Sequence, residues 1–164
     1  MKINYGKLAY CYILVFAAMA IGGYYNDFGI ENWYDKLIKP LGTPPNVVFP
    51  IVWTALYAMI GAAFYLALTT EQSEKRRARL NGWFVGMLFL HIVWSYAFFF
   101  AGQLGIALAV VIVIDILSYL ILMEFWGVSK TAAWLFIPYF MWILFATYLN
   151  AAIINLNSYV IVIE

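Results

Sequence analysis

Three ionisable side chains stand inside long apolar stretches of the chain: His91, Asp115 and Glu124. Burying such groups is costly, so each is a candidate for function. Asp115 lies mid-stretch, with Ser118 and Tyr119 at i+3 and i+4 on the same helical face. That arrangement suits a polar anchor for a ligand or a proton carrier, and equally a structural carboxyl bonded to a neighbouring helix. Glu124 falls near the end of the same stretch on the opposite face, where it is expected to snorkel to the interface. His91 shares a face with Trp94, Ser95 and Phe98. It reads as an interhelical hydrogen-bonder, with axial ligation of a haem iron as the sharper alternative.

The aromatic residues are more unusual still. Seven Trp, 13 Phe and 13 Tyr exceed what interfacial belts need. Phe49, Trp53, Tyr57 and Phe64 fall on one helical face, and Pro138, Trp142, Phe145, Ala146 and Leu149 on another. Facing each other, the two stripes would line a cavity for a flat apolar ligand, or simply pack between helices. No nucleophile–base pair or glycine-rich phosphate loop accompanies them, so hydrolase and NTPase chemistry are unsupported. One cysteine, Cys11, and one histidine put a disulfide and the usual transition-metal ligand sets out of reach. A net charge of +1 leaves no footprint for nucleic acid.

What positions these side chains follows from composition. Of 164 residues, 66% are apolar and 10% charged, against about 45–50% and about 25% in soluble domains. Apolar runs fall at 8–25, 47–68, 80–101, 104–126 and 132–156, each long enough to cross a hydrocarbon core of about 30 Å. In lipid the backbone must satisfy its own hydrogen bonds, so the runs are helices. The expected fold is an all-α integral membrane protein, a single five-transmembrane-helix bundle. Lys2, Lys7 and Ala18-Met19-Ala20 also imitate a signal peptide, whose cleavage would leave four spans; the first run is read here as a retained span.

The connections are short except 27–46, whose aromatics and prolines predict a stiff loop folded back over the bundle mouth. Lys2, Lys7, Lys75, Arg76, Arg77, Arg79 and Lys130 fall on the amino-terminal side, and Lys36 and Lys39 on the other. The positive-inside rule therefore places the amino terminus in the cytoplasm and the carboxy terminus outside. Gly82/Gly86, with the weaker pairs Ala18/Gly22 and Gly105/Ala109, allow close helix contacts, within the chain or in a homodimer.

Trp33-Tyr34, Lys39-Pro40, Pro44-Pro45, then Trp53-Thr54 and Leu56-Tyr57 resemble the loop and second helix of the TspO/MBR family, the translocator protein or tryptophan-rich sensory protein family. Trp94-Ser95 with Phe98-Phe99 is similar to its third-helix motif. Trp134, Pro138-Tyr139, Trp142, Phe145-Ala146-Thr147, Leu149-Asn150 and Asn157 are similar to its fifth helix. The resemblance runs from about residue 5 to 157.

It implies a five-helix bundle, often dimeric, that binds porphyrins such as protoporphyrin IX and haem, and benzodiazepine- or isoquinoline-type ligands, in a pocket under the first loop. Trp53 and Trp142 correspond to the pair implicated in porphyrin chemistry. Ala146, Leu149 and Asn150 correspond to the fifth-helix ligand wall, and Asp115 to the fourth-helix acid. There are departures. Gly42 stands where many members have Trp, Pro50 is one position early, and His91 replaces a frequent Asn. No Lys or Arg follows Lys130, so the sterol pattern cannot be completed and a sterol is a poor candidate.

The expected function is a tetrapyrrole-binding transporter or sensor, with no obligatory cofactor and a bacterial cell membrane as its location. The ring is expected between Trp53 and Trp142, lined also by Phe49, Tyr57, His91, Trp94 and Phe98, with Trp33 and Tyr34 closing the mouth. The carboxylates of the ring would reach Lys36, Lys39 or loop amides. One alternative is an enzyme that degrades porphyrin with light and oxygen, Trp53 and Trp142 relaying electrons. Another is a structural or partner-binding bundle.

Overall fold

A computed structural model describes residues 3–158, and all regular structure among them is helical. The long helices are α1 (Tyr5–Asn32), α2 (Val48–Thr69), α3 (Glu74–Ser95), α4 (Leu104–Val128) and α5 (Lys130–Asn157). All five are long and apolar enough to span a membrane. They form a ring in the order α1, α2, α5, α4, α3, with α3 closing back on α1.

Helices α1, α3 and α5 begin ahead of the apolar runs because polar residues start them. Asn4 accepts from the Lys7 amide to cap α1, and Ser73 accepts from Arg76 to cap α3. The polar segment 74–79, expected as a connection, is therefore the first turns of α3. Ser129 alone separates α4 from α5, its hydroxyl capping the latter. The first helix corrects the expectation most. With 28 residues and a 1.5 Å rise it is about 42 Å long, so Asn26 and Asp27 lie in its last turns and not in a loop.

Inside the ring the packing is aromatic. Phe64 stacks on Phe84 at 3.9 Å, and Phe125 meets Phe136 edge-on. The lower half of α1 is fastened to α2: Lys7 Nζ donates to the Leu68 carbonyl, Tyr12 Oη donates to Ala58, and the Tyr12 ring covers Gly61. Across the bundle at that end, Glu124 takes Arg76 Nε at 2.6 Å and also pairs with Arg79. Glu124 is thus an interhelical ion pair and not a lone snorkelling acid. Lys7, Lys75, Arg76, Arg77, Arg79 and Lys130 share this end, while Lys36 and Lys39 lie at the other; Lys2 lies outside the described residues. Of the small-residue pairs, Ala18/Gly22 serves packing inside the chain, since a Cβ on Gly22 would stand 3.2 Å from Ser95 Oγ. Gly82 faces open space.

At the opposite end α3 finishes in a π turn, Tyr96–Phe100. Gly29 lets α1 approach that turn, because a Cβ there would lie 2.6 Å from the Phe99 carbonyl oxygen. The connection from α1 to α2 is confined to 33–47, with a 3-10 turn at Tyr34–Lys36. Asn157 grips it as a strand would, accepting from Ile38 N at 3.0 Å and donating to Ile38 O at 3.0 Å. Asn157→Leu is expected to speed amide hydrogen exchange across 37–47 at least about tenfold, through loss of two hydrogen bonds, and to leave the helices protected. Unchanged exchange there would show that the aromatic anchors alone hold the loop.

Candidate functional site

A partly open cavity of about 340 Å³ lies between the upper halves of α1, α2 and α3, at the low end of the range for small-molecule pockets. Phe49, Trp53 and Tyr57 of α2, with His91 and Trp94 of α3, give it an aromatic wall. Met19, Gly22, Gly23 and Ile30 of α1 form the facing wall, and Pro50, Thr54 and Ser95 complete it. Two glycines in succession remove the side chains that would fill this space: a Cβ on Gly23 would meet nothing within 4 Å. Asn26, Asp27 and Asn46 form its polar end, next to the loop.

The aromatic wall is held from behind. His91 is buried, its Nε2 2.6 Å from Tyr139 Oη, and Ser118 Oγ lies 3.4 Å from the same hydroxyl. The Trp53 ring stands edge-on to His91 at 5.4 Å and perpendicular to Trp142 at 6.5 Å. Trp94 Nε1 donates to Asn150 Oδ1 at 3.3 Å, and Asn150 Nδ2 donates to the Leu104 carbonyl at 3.1 Å. One buried amide therefore ties α3, α4 and α5 together behind the cavity.

Several expected site residues lie elsewhere. Phe49 and Trp142 are in edge contact at 6.2 Å, so the α2 and α5 stripes meet instead of enclosing a slot. Phe145 packs on Trp142, and Ala146, Leu149, Asn150 and Trp142 do not line the open space. Trp33 and Tyr34 do not line it either. Trp33 Nε1 is drawn to the Phe99 carbonyl at 2.7 Å, an acceptor at the end of α3 with no helical amide to serve it. Tyr34 is buried against Phe98 and Phe99, under Lys39 Nζ at 4.3 Å. Phe98 fills the gap between these loop anchors and Trp94.

Two of the loop charges, Asp35 and Lys39, pair with each other. Asp35 accepts from Lys39 at 2.8 Å and Asn46 at 2.9 Å, which holds its carboxyl below the usual carboxylate range. Burial, with Asp35 adjacent, pushes the Tyr34 phenol up to about 12. Asp115 is apart from the cavity: Thr147 Oγ1 donates to its Oδ2 at 2.8 Å, a bond from α5 to α4. Its expected neighbours on the face diverge, Ser118 turning inward and Tyr119 outward.

The α1 lining was not among the expected site residues. A signal was present: Gly22 with Asn26, and Gly23 with Asp27, repeat small-then-polar at i, i+4. It was hidden by ending the helix at Tyr25.

The sequence profile of the TspO/MBR family matches residues 11–156. The chain is 35% identical over 156 residues to "Tryptophan-rich protein TspO" of Archaeoglobus fulgidus, covering 95% of this chain and 100% of that one. It is 33% identical to "Tryptophan-rich sensory protein" of Cereibacter sphaeroides, over 77% of this chain and 78% of that one. With human "Translocator protein" it shares 33% identity, over 73% of this chain and 71% of that one.

Proposed function

The chain belongs to the TspO/MBR family, and from that premise we propose a multi-pass membrane receptor for tetrapyrroles such as protoporphyrin IX, acting as a transporter or sensor. The observation that carries this reading is the cavity between α1, α2 and α3, with five aromatic rings on one side and glycine backbone on the other. A flat ring with one apolar edge inserted would gain most of its affinity from apolar burial, at about 25 cal/mol per Å² before the costs of binding. Bicyclic ligands of the benzodiazepine or isoquinoline type suit the same wall. The charge asymmetry supports a cytoplasmic amino terminus in a bacterial cell membrane. The open face at Gly82 supports a homodimer.

Titration of the purified protein with protoporphyrin IX in the dark, followed by tryptophan fluorescence, tests the reading. Saturable quenching is expected, since Trp53 and Trp94 line the space. Linear quenching that never saturates would mean partition into detergent and leave the tryptophans as packing.

The contact of Trp53 with Trp142 favours a second reading, in which light and dioxygen degrade the bound porphyrin and the indoles relay electrons. It predicts product under illumination that Trp142→Phe abolishes. A bound porphyrin that bleaches no faster than free porphyrin would exclude it.

A further inference from the structure

The polar end of the cavity has a definite electrostatic character. Asn26 Oδ1 is buried there without a hydrogen-bond partner, and a buried acceptor left unmade is rare enough to require an explanation. The next residue, Asp27, brings a carboxylate to the same end. Asn46 already gives an amide hydrogen to Asp35, and its carbonyl oxygen is a further acceptor. No lysine or arginine is among the residues lining the space. The nearby loop cation, Lys39, is held by Asp35 and the Tyr34 ring. The end thus offers one carboxylate and two neutral amides, and no lysine or arginine to receive an anion.

We propose that this end is a specificity determinant, with Asn26 and Asp27 as its residues: it takes a ligand edge bearing a hydrogen-bond donor or positive charge and disfavours an edge bearing carboxylates. The proposal rests on the reading of the cavity as a ring-binding site. A donor or cationic edge would pair with Asp27, while a carboxylate would lose part of its water, face a like charge and find only neutral amide hydrogens of Asn26 and Asn46 to offset it. A ring that carries acids would bind with them turned out of the cavity or masked. This differs from the expectation that ligand carboxylates find Lys36 or Lys39.

The test compares dissociation constants of protoporphyrin IX and its dimethyl ester, in the dark and in one detergent, for the wild type and Asp27→Asn. Removing the like charge is expected to move the acid-to-ester ratio about tenfold in favour of the acid. A ratio that stays put while both porphyrins saturate would overturn the proposal and leave the ring-binding reading standing. A second pair, an aminoquinolinium and a quinoline carboxylate, separates the two ideas. Saturation by the quinolinium alone, lost in Asp27→Asn, would support the proposal even if neither porphyrin binds and the tetrapyrrole reading falls. Failure of all four ligands to saturate would overturn both.

Discussion

Replacing Gly23 by leucine is expected to abolish saturable porphyrin binding, a loss of at least about 100-fold given how poorly close-packed sites tolerate added bulk, while the bundle stays as stable as before or gains. Gly23 lies in the interior of α1 and on the cavity wall, where a Cβ would meet nothing within 4 Å. The new side chain would start from this open point on the wall and take up ligand space. Gly also costs a helix interior about 1 kcal/mol relative to Ala, so the backbone benefits from its removal. Gly22 provides the contrast, because its Cβ would press on Ser95 Oγ at 3.2 Å and lever α1 from α3. Gly22→Leu should therefore lower stability as well as binding. Thermal unfolding and the dark titration, run on both variants in one detergent, separate the two effects. Normal affinity in Gly23→Leu would place the ligand somewhere other than this cavity.

Asn150→Leu is expected to destabilise the protein by about 1–3 kcal/mol, because the buried Trp94 Nε1 loses its acceptor and the bond from α5 to the Leu104 carbonyl is lost. Both bond this amide, and although the Leu104 carbonyl keeps its helical partner within α4, Trp94 Nε1 has no bilayer water to replace Asn150. Leucine keeps the branched four-atom skeleton of asparagine with bulkier methyl ends, so no cavity opens and the cost is lost hydrogen bonding with some overpacking. Trp94 also forms the cavity wall, so looser binding should accompany the lower unfolding temperature. A change within about 0.5 kcal/mol, the usual range of surface substitutions, would mean that packing alone holds α3, α4 and α5 together.

The five spans were legible because apolar runs of that length have one structural solution in lipid. Helix ends were not, since in α1 and α3 polar residues continue the helix past the apolar run instead of stopping it. Reading Asp27 as loop removed it and Asn26 from the wall they help form. The stripe of Phe49, Trp53 and Tyr57 was legible as a surface, and these residues do line the cavity, but a stripe does not name its partner. Two glycines in α1 make the space, and inside an apolar run glycine reads as packing. The bonds from His91 to Tyr139, Trp94 to Asn150 and Ile38 to Asn157 join residues far apart in sequence, so no local pattern announces them. The π turn was equally silent, and it is what draws Trp33 and Tyr34 away from the open cavity.

A structure of the protein crystallised with protoporphyrin IX in the dark tests the central claim most directly. The account predicts one edge of the ring between α1 and α2, against Trp53 and over Gly23, with Trp53 and Trp142 still in contact behind it. A ring lodged between α2 and α5, or held on the lipid-facing surface with the α1–α2–α3 space empty, would contradict it.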